Sequence, residues 1–351
     1  MIQNVKIALI GFGTVGCNLL QILEDKKTEL CNKYGINFTL TCIADSSGVA
    51  YNPAGFSPLE IINHKKSDKQ INTFKGYVPD KTVLALLDEI EYDLLFEASP
   101  VNMDSAEPAL SYCQKALENH SHLVLANKAP LVIAFNDLHI KAKENNVGIL
   151  FSATFCGGLP VLNICQRDMI AGKILKIQGV FNGTTNFILD GMTKGQSFES
   201  ALSEAQEIGA AEADPTLDIE GWDTANKLVL LVNSVLGVSI GLEDIDVRGI
   251  TEITASQLKS HQEKNETIKL VASAVLKGDE YQISVKPMVL STSEFLGSCN
   301  GWEMGVEIHS DIYGITYHKL WEREPIPTAA SMVRDAVHLM SNGRSNTFGK
   351  H

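Results

Sequence analysis

Residues 212–227 read EADPTLDIEGWDTANK, and a continuous apolar run, LVLLV, follows at once. Asp223 and Lys227 stand four apart, which on a helix places them on one face. Left in water, such a pair would be an ordinary surface ion pair contributing well under about 1 kcal/mol. The apolar turn behind Lys227 argues for burial instead. Desolvation there would lower the amine's affinity for its proton, toward the range useful for acid–base work. Glu212, Asp214 and Asp218 lie just upstream in a loop broken by Pro215. They are free to converge on a small polar cation.

A second constellation opens the chain. The apolar run VKIALI (5–10) leads directly into GFGTVG, with Gly11, Gly13 and Gly16 in G-x-G-x-x-G spacing. Gly11 allows the tight turn, Gly13 the close approach of a pyrophosphate, and Gly16 tight packing of helix on strand. Thr14 and Val15 then open an amphipathic helix whose free N–H groups and partial positive charge favour phosphate. A next strand, FTLTCIA, closes on Asp45. An acid there accepts hydrogen bonds from ribose hydroxyls and repels a 2′-phosphate, so the reading leans to NAD over NADP. Ser46, Ser47 and Gly48 follow, however, and could make room for a phosphate, with Lys65 and Lys66 nearby.

Further strands follow at YDLLFEAS (92–99), HLVLANK (122–128) and VGILFSAT (147–154), with helices between them near 105–119 and 136–145. Alternation of this kind builds a parallel sheet with right-handed crossovers, and its ligands sit beyond the carboxyl ends of the strands. Gly11, Asp45, Ser99 and Lys128 all fall at such ends. A lysine is rarely left in a buried strand unless paired, which points to Lys128 as a cation facing the crevice.

After about residue 152 the texture changes. GKILKIQGVFNGTTNFILDGM, YQISVKPMVL and GVEIHSDIYGITYHKLW read as strands, with helices near 198–208, 223–236 and around 254–276. Within the first of these, FNGTTNFIL reads as a hairpin or a strand–helix turn capped by Asn182 or Thr184, or as a substrate contact. The fold expected is α/β: a Rossmann-type parallel-sheet domain over 1–151 and an α+β substrate and dimerisation domain over 152–324. A last helix, about 325–345, packs back on the first.

The totals bound the class. A chain of 351 residues suits two domains, and 44% hydrophobic with 20% charged residues is ordinary for a soluble globular protein. The net charge of −13 argues against a nucleic-acid partner. The seven cysteines stand singly, without a C-x-x-C pair. That favours a reducing compartment over a disulfide framework. No apolar run reaches membrane-spanning length, and the chain begins in a strand rather than a basic leader. A cytoplasmic location is expected.

In order, the dinucleotide fingerprint, ANK, GGLP, NGTTNFIL, EADPTLDIEGWDTANK and PTAASMVRD resemble homoserine dehydrogenase over roughly residues 3–340. The resemblance implies NAD(P)-dependent interconversion of L-homoserine and L-aspartate 4-semialdehyde. It implies Lys227 as the proton donor and acceptor, supported by Asp223. Lys128 would lie between the nicotinamide and the substrate, which Glu212, Asp218, Gly183 and Thr184 would hold. It further implies a homodimer through the second domain's sheet and a form without a C-terminal regulatory domain, for which threonine feedback through one is not expected. A monovalent cation, Na+ or K+, is implied on the backbone carbonyls of Phe155, Gly157 and Leu159. Here Ser152 stands where the family often has a glutamate, and KLWEREPIPTAA replaces the usual glycine-rich segment before PTA. The alternatives are a diverged reductase of another small amino-acid aldehyde or ketone, and a non-catalytic dinucleotide sensor.

Overall fold

The computed structural model describes residues 2–341 apart from 68, 210 and 324; the expected end of the last helix, 342–345, lies outside the described residues. The chain divides into two compact units, Met1–Gly157 with Pro325–His351, and Gly158–Glu324.

The first unit alternates β1 (Gln3–Ile10), α1 (Thr14–Asp25), β2 (Ile36–Asp45), β3 (Gly48–Tyr51), α2 (Pro58–Lys66), α3 (Val83–Glu89), β4 (Leu94–Glu97), α4 (Ala109–Glu118), β5 (His122–Leu125), α5 (Ala129–Glu144) and β6 (Ile149–Leu150). The sheet order is β3-β2-β1-β4-β5-β6. All neighbours are parallel except β3, which turns back antiparallel on β2. The central strands are covered on both faces, as a parallel sheet requires, so they read as unbroken apolar runs. Val5, Ile7, Leu9, Leu94 and Phe96 join Leu19, Leu20 and Leu23 of α1 in one buried cluster. The last helix (Ile326–Met340) adds Ala329, Met332, Val333, Ala336, Val337 and Met340 to that same cluster. The crevice falls where the order reverses, between β1 and its neighbours β2 and β4.

Three boundaries depart from expectation in this unit. Strand β5 ends at Leu125, so Lys128 is not a strand residue but caps the N-terminus of α5, with αR backbone angles. Helix α5 starts at Ala129 rather than near 136, because Pro130 suits the first turn of a helix, where no N–H partner is needed. The 147–154 strand shrinks to two residues and passes into a 3-10 turn, Ser152–Thr154. Asp335 of the last helix draws that turn in, accepting from Ser152 N (2.7 Å) and Ser152 Oγ (2.8 Å).

The second unit contains β7 (Ile174–Val180), α6 (Gly183–Thr193), α7 (Phe198–Glu207), α8 (Thr216–Ile219), α9 (Trp222–Val235), β8 (Asp246–Val247), α10 (Ala255–Gln262), β9 (Glu266–Lys277), β10 (Glu280–Ser291), β11 (Glu303–Ser310) and β12 (Gly314–Trp321). Its sheet runs β12-β11-β7-β9-β10-β8 and is antiparallel apart from the β10–β8 pair.

The helix expected over 254–276 is wrong in its second half. It stops at Gln262, and Glu266–Lys277 is a strand in the interior of the sheet, paired with both β7 and β10. Periodicity alone does not separate a strand buried on both faces from a buried helix. The strand-type stretch expected over 172–192 is likewise cut short at Val180, since Asn182 caps a helix there, as one of its readings allowed.

Candidate active site

In the first unit the glycine turn is shaped by backbone. Gly11 has φ +97°, and a Cβ there would stand 2.2 Å from the carbonyl carbon and oxygen of Ala98 and 2.3 Å from Ser99 N. A Cβ on Gly16 would stand 2.3 Å from the Gly11 carbonyl oxygen, which explains both glycines sterically. Gly13 is different: nothing lies within 4 Å of its would-be Cβ, and it sits exposed as the N-cap of α1 without a side-chain cap. An open cradle over an uncapped helix N-terminus suits a pyrophosphate. Thr14 is exposed and Val15 half-buried on the first turn.

Asp45 closes β2 at the same edge. Its Oδ1 accepts from Ser47 N (2.8 Å) and from Ser47 Oγ, and its Oδ2 meets Lys65 Nζ at 3.2 Å. Lys65 also stands 5.9 Å over the Phe12 ring.

The Ser99 end is tied to a residue the motifs did not single out. Glu97, wholly buried at the end of β4, accepts on Oε1 from Ser99 N (3.1 Å) and from Ser99 Oγ. Its Oε2 has no partner among the described residues. Burial pushes this carboxyl up to about 7, against the pull of the Ser99 and Asn127 hydrogen bonds. Asn127 donates to Ser99 Oγ (3.4 Å) and Pro100 O (3.2 Å), and accepts from Ala129 N (3.0 Å) on the first turn of α5. The crevice loop and the helix that Lys128 caps are thereby joined through Asn127. The acid that ends the apolar run LLF (94–96) was the available signal.

In the second unit the predicted pair is formed. Lys227 Nζ lies 2.8 Å from Asp223 Oδ2 and donates to the carbonyl of Phe181 at 2.8 Å. The side chains of Lys227 and Asp223 are only 16% and 12% exposed. A surface ion pair is therefore excluded. The apolar residues Leu228, Val229, Leu230, Leu231 and Val232 are all fully buried, so α9 is held on every side beyond Lys227.

Asn182 was read only as a cap. It does cap α6, accepting from Thr185 N at 2.8 Å, but its Nδ2 also donates to Asp218 Oδ1 (2.6 Å) and Asp223 Oδ2 (2.8 Å). Asp218 lies on α8, a single helical turn rather than the open loop expected. Gly183 and Thr184 form the first turn of α6 beside this cluster, and Thr184 is buried.

Glu212 is not in the cluster. It is exposed ahead of α8, its carbonyl accepting from Gln206 Nε2 at 3.1 Å. Asp214 is exposed as well, and Thr216 N and Oγ1 turn back onto its carboxylate. As for the carbonyls named for a cation, that of Gly157 accepts from Ser331 Oγ (3.0 Å) and that of Leu159 from Val161 N (2.9 Å). Those two oxygens already have protein partners.

A Rossmann-type dinucleotide turn on one unit and a buried lysine–carboxylate pair on the other define a nicotinamide-dependent oxidoreductase. A family model described as homoserine dehydrogenase matches residues 160–337. The homoserine dehydrogenase of Methanocaldococcus jannaschii is 33% identical over 340 residues, covering 96% of this chain and 98% of its own. A crystal structure described as a putative homoserine dehydrogenase from Archaeoglobus fulgidus superposes with a TM-score of 0.85 at 32% identity, covering 95% and 98% of the two chains. A hyperthermophilic archaeal homoserine dehydrogenase mutant in complex with NADPH gives a TM-score of 0.84 at 28% identity, over 97% and 98%. The chain belongs to the homoserine dehydrogenase family.

Proposed function

We propose that the chain interconverts L-homoserine and L-aspartate 4-semialdehyde with NAD or NADP, with Lys227 as the proton-transfer group. The observation that carries this is the placement of Lys227 Nζ between the Phe181 carbonyl and Asp223 Oδ2, 2.8 Å from each. When bound, the nicotinamide accepts hydride from the alcohol carbon or returns it to the aldehyde. The alcohol oxygen must lose or regain a proton in the same event. Phe181 and Asp223 hold the lysine nitrogen by two hydrogen bonds, so its orientation toward the substrate oxygen is set before the reaction begins. Asp223 stabilises the ammonium form after the lysine has taken the proton.

Asp218, with Glu212 in the adjoining loop, is proposed to take the substrate's ammonium group. Gly183 and Thr184 are proposed to contact the substrate from the first turn of α6, and Lys128 to supply a second cation. Gly11, Gly13, Thr14, Val15, Gly16, Asp45 and Ser99 are proposed to hold the cofactor. NAD is the proposed preference, because Asp45 offers carboxylate oxygens at the ribose position. The test is a steady-state assay of purified protein with L-homoserine, run with NAD and with NADP. Turnover with either supports the reading, and none with both overturns it.

A homodimer through the second unit's sheet is also proposed. Edge strand β12 leaves Ile315, Tyr317 and Trp321 at 51%, 53% and 63% exposure, a row of large apolar groups at an unpaired edge. Light scattering on the purified protein tests it, and a monomer mass at micromolar concentration would rule it out. The seven free cysteines support a reducing, cytoplasmic setting.

A further inference from the structure

We propose that Asn182 is the positioning residue of the proton-transfer pair: fixed by capping α6, its amide holds Asp218 and Asp223 side by side and aims Asp223 at Lys227. The inference rests on the proposed role of Lys227 and adds a residue that acts through Asp223.

The orientation of the amide is settled by its own bonds. Its Oδ1 accepts from Thr185 N at 2.8 Å, as an N-cap does, so the NH2 end faces the carboxylates. That nitrogen has two hydrogens, and the two short contacts, 2.6 Å to Asp218 Oδ1 and 2.8 Å to Asp223 Oδ2, take one each. Two carboxylates within reach of one nitrogen repel each other, and the ordinary outcome is that one holds a proton. An acid that keeps its proton is a poorer partner for an ammonium. The donated N–H groups oppose that outcome by favouring the charged form of each acid, one facing Lys227 and one proposed for a substrate cation.

The helix that carries Asn182 is itself anchored one turn further on. Asn186 accepts from the buried Lys269 Nζ (2.9 Å) and donates to the carbonyls of Cys299 (3.2 Å), Gly301 (3.0 Å) and Glu303 (3.0 Å). The anchor ties α6 to β9 and to the 299–303 turn, which keeps the cap position in place. Phe181, the neighbouring residue, contributes the carbonyl on Lys227. The end of β7 therefore supplies both the lysine's second acceptor and the donor that orders its carboxylate.

Serine separates the two duties of residue 182. It caps a helix as well as asparagine does but is too short to bridge the acids. Asn182→Ser is expected to melt within a few degrees of wild type while kcat on homoserine falls about 10- to 100-fold. The acid limb of its kcat/KM–pH profile is expected to move up by about one pH unit, because an unsupported Asp223 takes a proton more readily. Asn182→Thr keeps the same cap and serves if the serine variant is poorly soluble.

Two controls separate positioning from general damage. Asn186→Ala should lower the melting temperature while moving the acid limb far less than Asn182→Ser does. In a double-mutant cycle, adding Asp223→Asn to Asn182→Ser should cost much less than the product of the two single losses. A wild-type kcat and pH profile in both cap-retaining variants, an equal limb shift in Asn186→Ala, or simple multiplication in the cycle would each overturn the proposal. Absence of homoserine turnover in the wild-type protein would instead overturn the functional reading on which it rests.

Discussion

At the carboxyl ends of β1, β2 and β4, the first unit works mainly with backbone. Glycine positions are cleared of Cβ atoms, a helix N-terminus is left uncapped, and side-chain bonds there hold loops in place. At the junction of β7, α6, α8 and α9, the second unit works with charge. One amide, two carboxylates and a lysine are drawn from residues 182–227 and held partly out of water, just ahead of α9's buried apolar turn. The contrast follows from the tasks. A pyrophosphate needs donors and room, which main chain supplies from adjacent residues. Moving a proton needs a group held at a set point, and here Asp223 one turn away is joined by Phe181 and Asn182 from distant sequence.

Buried acids make the same contrast. Asp223 is partnered by Lys227 and Asn182, whereas Glu97 sits wholly buried with one oxygen unpartnered among the described residues. A cation compensates one and nothing comparable is described at the other. Burial accordingly outweighs the Ser99 and Asn127 hydrogen bonds at Glu97 and pushes it up to about 7.

Breaking the charged site should have the largest effect. Lys227→Ala is expected to reduce kcat about 1,000-fold or more while cofactor affinity stays near wild type. Steady-state rates with homoserine and a cofactor fluorescence titration check both halves, and near-normal turnover would end the assignment. The backbone site should break differently. Gly11→Ala places a Cβ 2.2 Å from the Ala98 carbonyl at a backbone angle of φ +97°. A cost of about 3 kcal/mol or more is expected, seen as a lower melting temperature together with loss of cofactor binding.

The uncompensated acid gives a pH signature. The Glu97 carboxyl is raised from 4.5 to about 7 in the folded chain. Between those values the folded chain holds a proton that the unfolded chain has released, so stability falls as pH rises through that window and is level above it. Glu97→Gln should remove that slope, at most about 3 kcal/mol. Urea unfolding of both proteins at pH 5 and pH 8 measures it; an unchanged difference between the two pH values would locate the slope elsewhere. The smallest effect expected is at Asp45. Replacement by serine removes the carboxylate proposed to meet the ribose and frees Lys65 from its ion pair with Asp45, and should shift the NAD-to-NADP ratio of kcat/KM about tenfold toward NADP. A ratio that does not move would take cofactor choice away from that pair.

How much of this was legible in the sequence follows the same division. The G-x-G-x-x-G turn was readable because its three glycines lie within six residues, although Ala98 just past the end of β4 is what excludes a Cβ from Gly11. The Asp223–Lys227 contact was readable because helical spacing alone brings i and i+4 together. Lys128 was assigned to a strand because ANK continues an apolar run, and only the helix that Pro130 starts shows it to be a cap. TIKLVASAVL was assigned to a helix because a strand covered on both faces loses its alternation. Glu212 and Asp218, six apart in sequence, were expected together, yet the turn at 216–219 brings in Asp218 alone.

By itself, then, the sequence determined which groups this protein has for binding a dinucleotide and moving a proton, along with the local geometry of each motif. Tertiary structure decided which of them act together. Asn182 became more than a cap only because β7 ends where α8 and α9 deliver two carboxylates. Glu97 became more than a strand acid only because β4 lies between β1 and β5 in a covered sheet, which excludes water from it. Both outcomes depend on long-range packing, since desolvation and the meeting of like charges are set by neighbours in space.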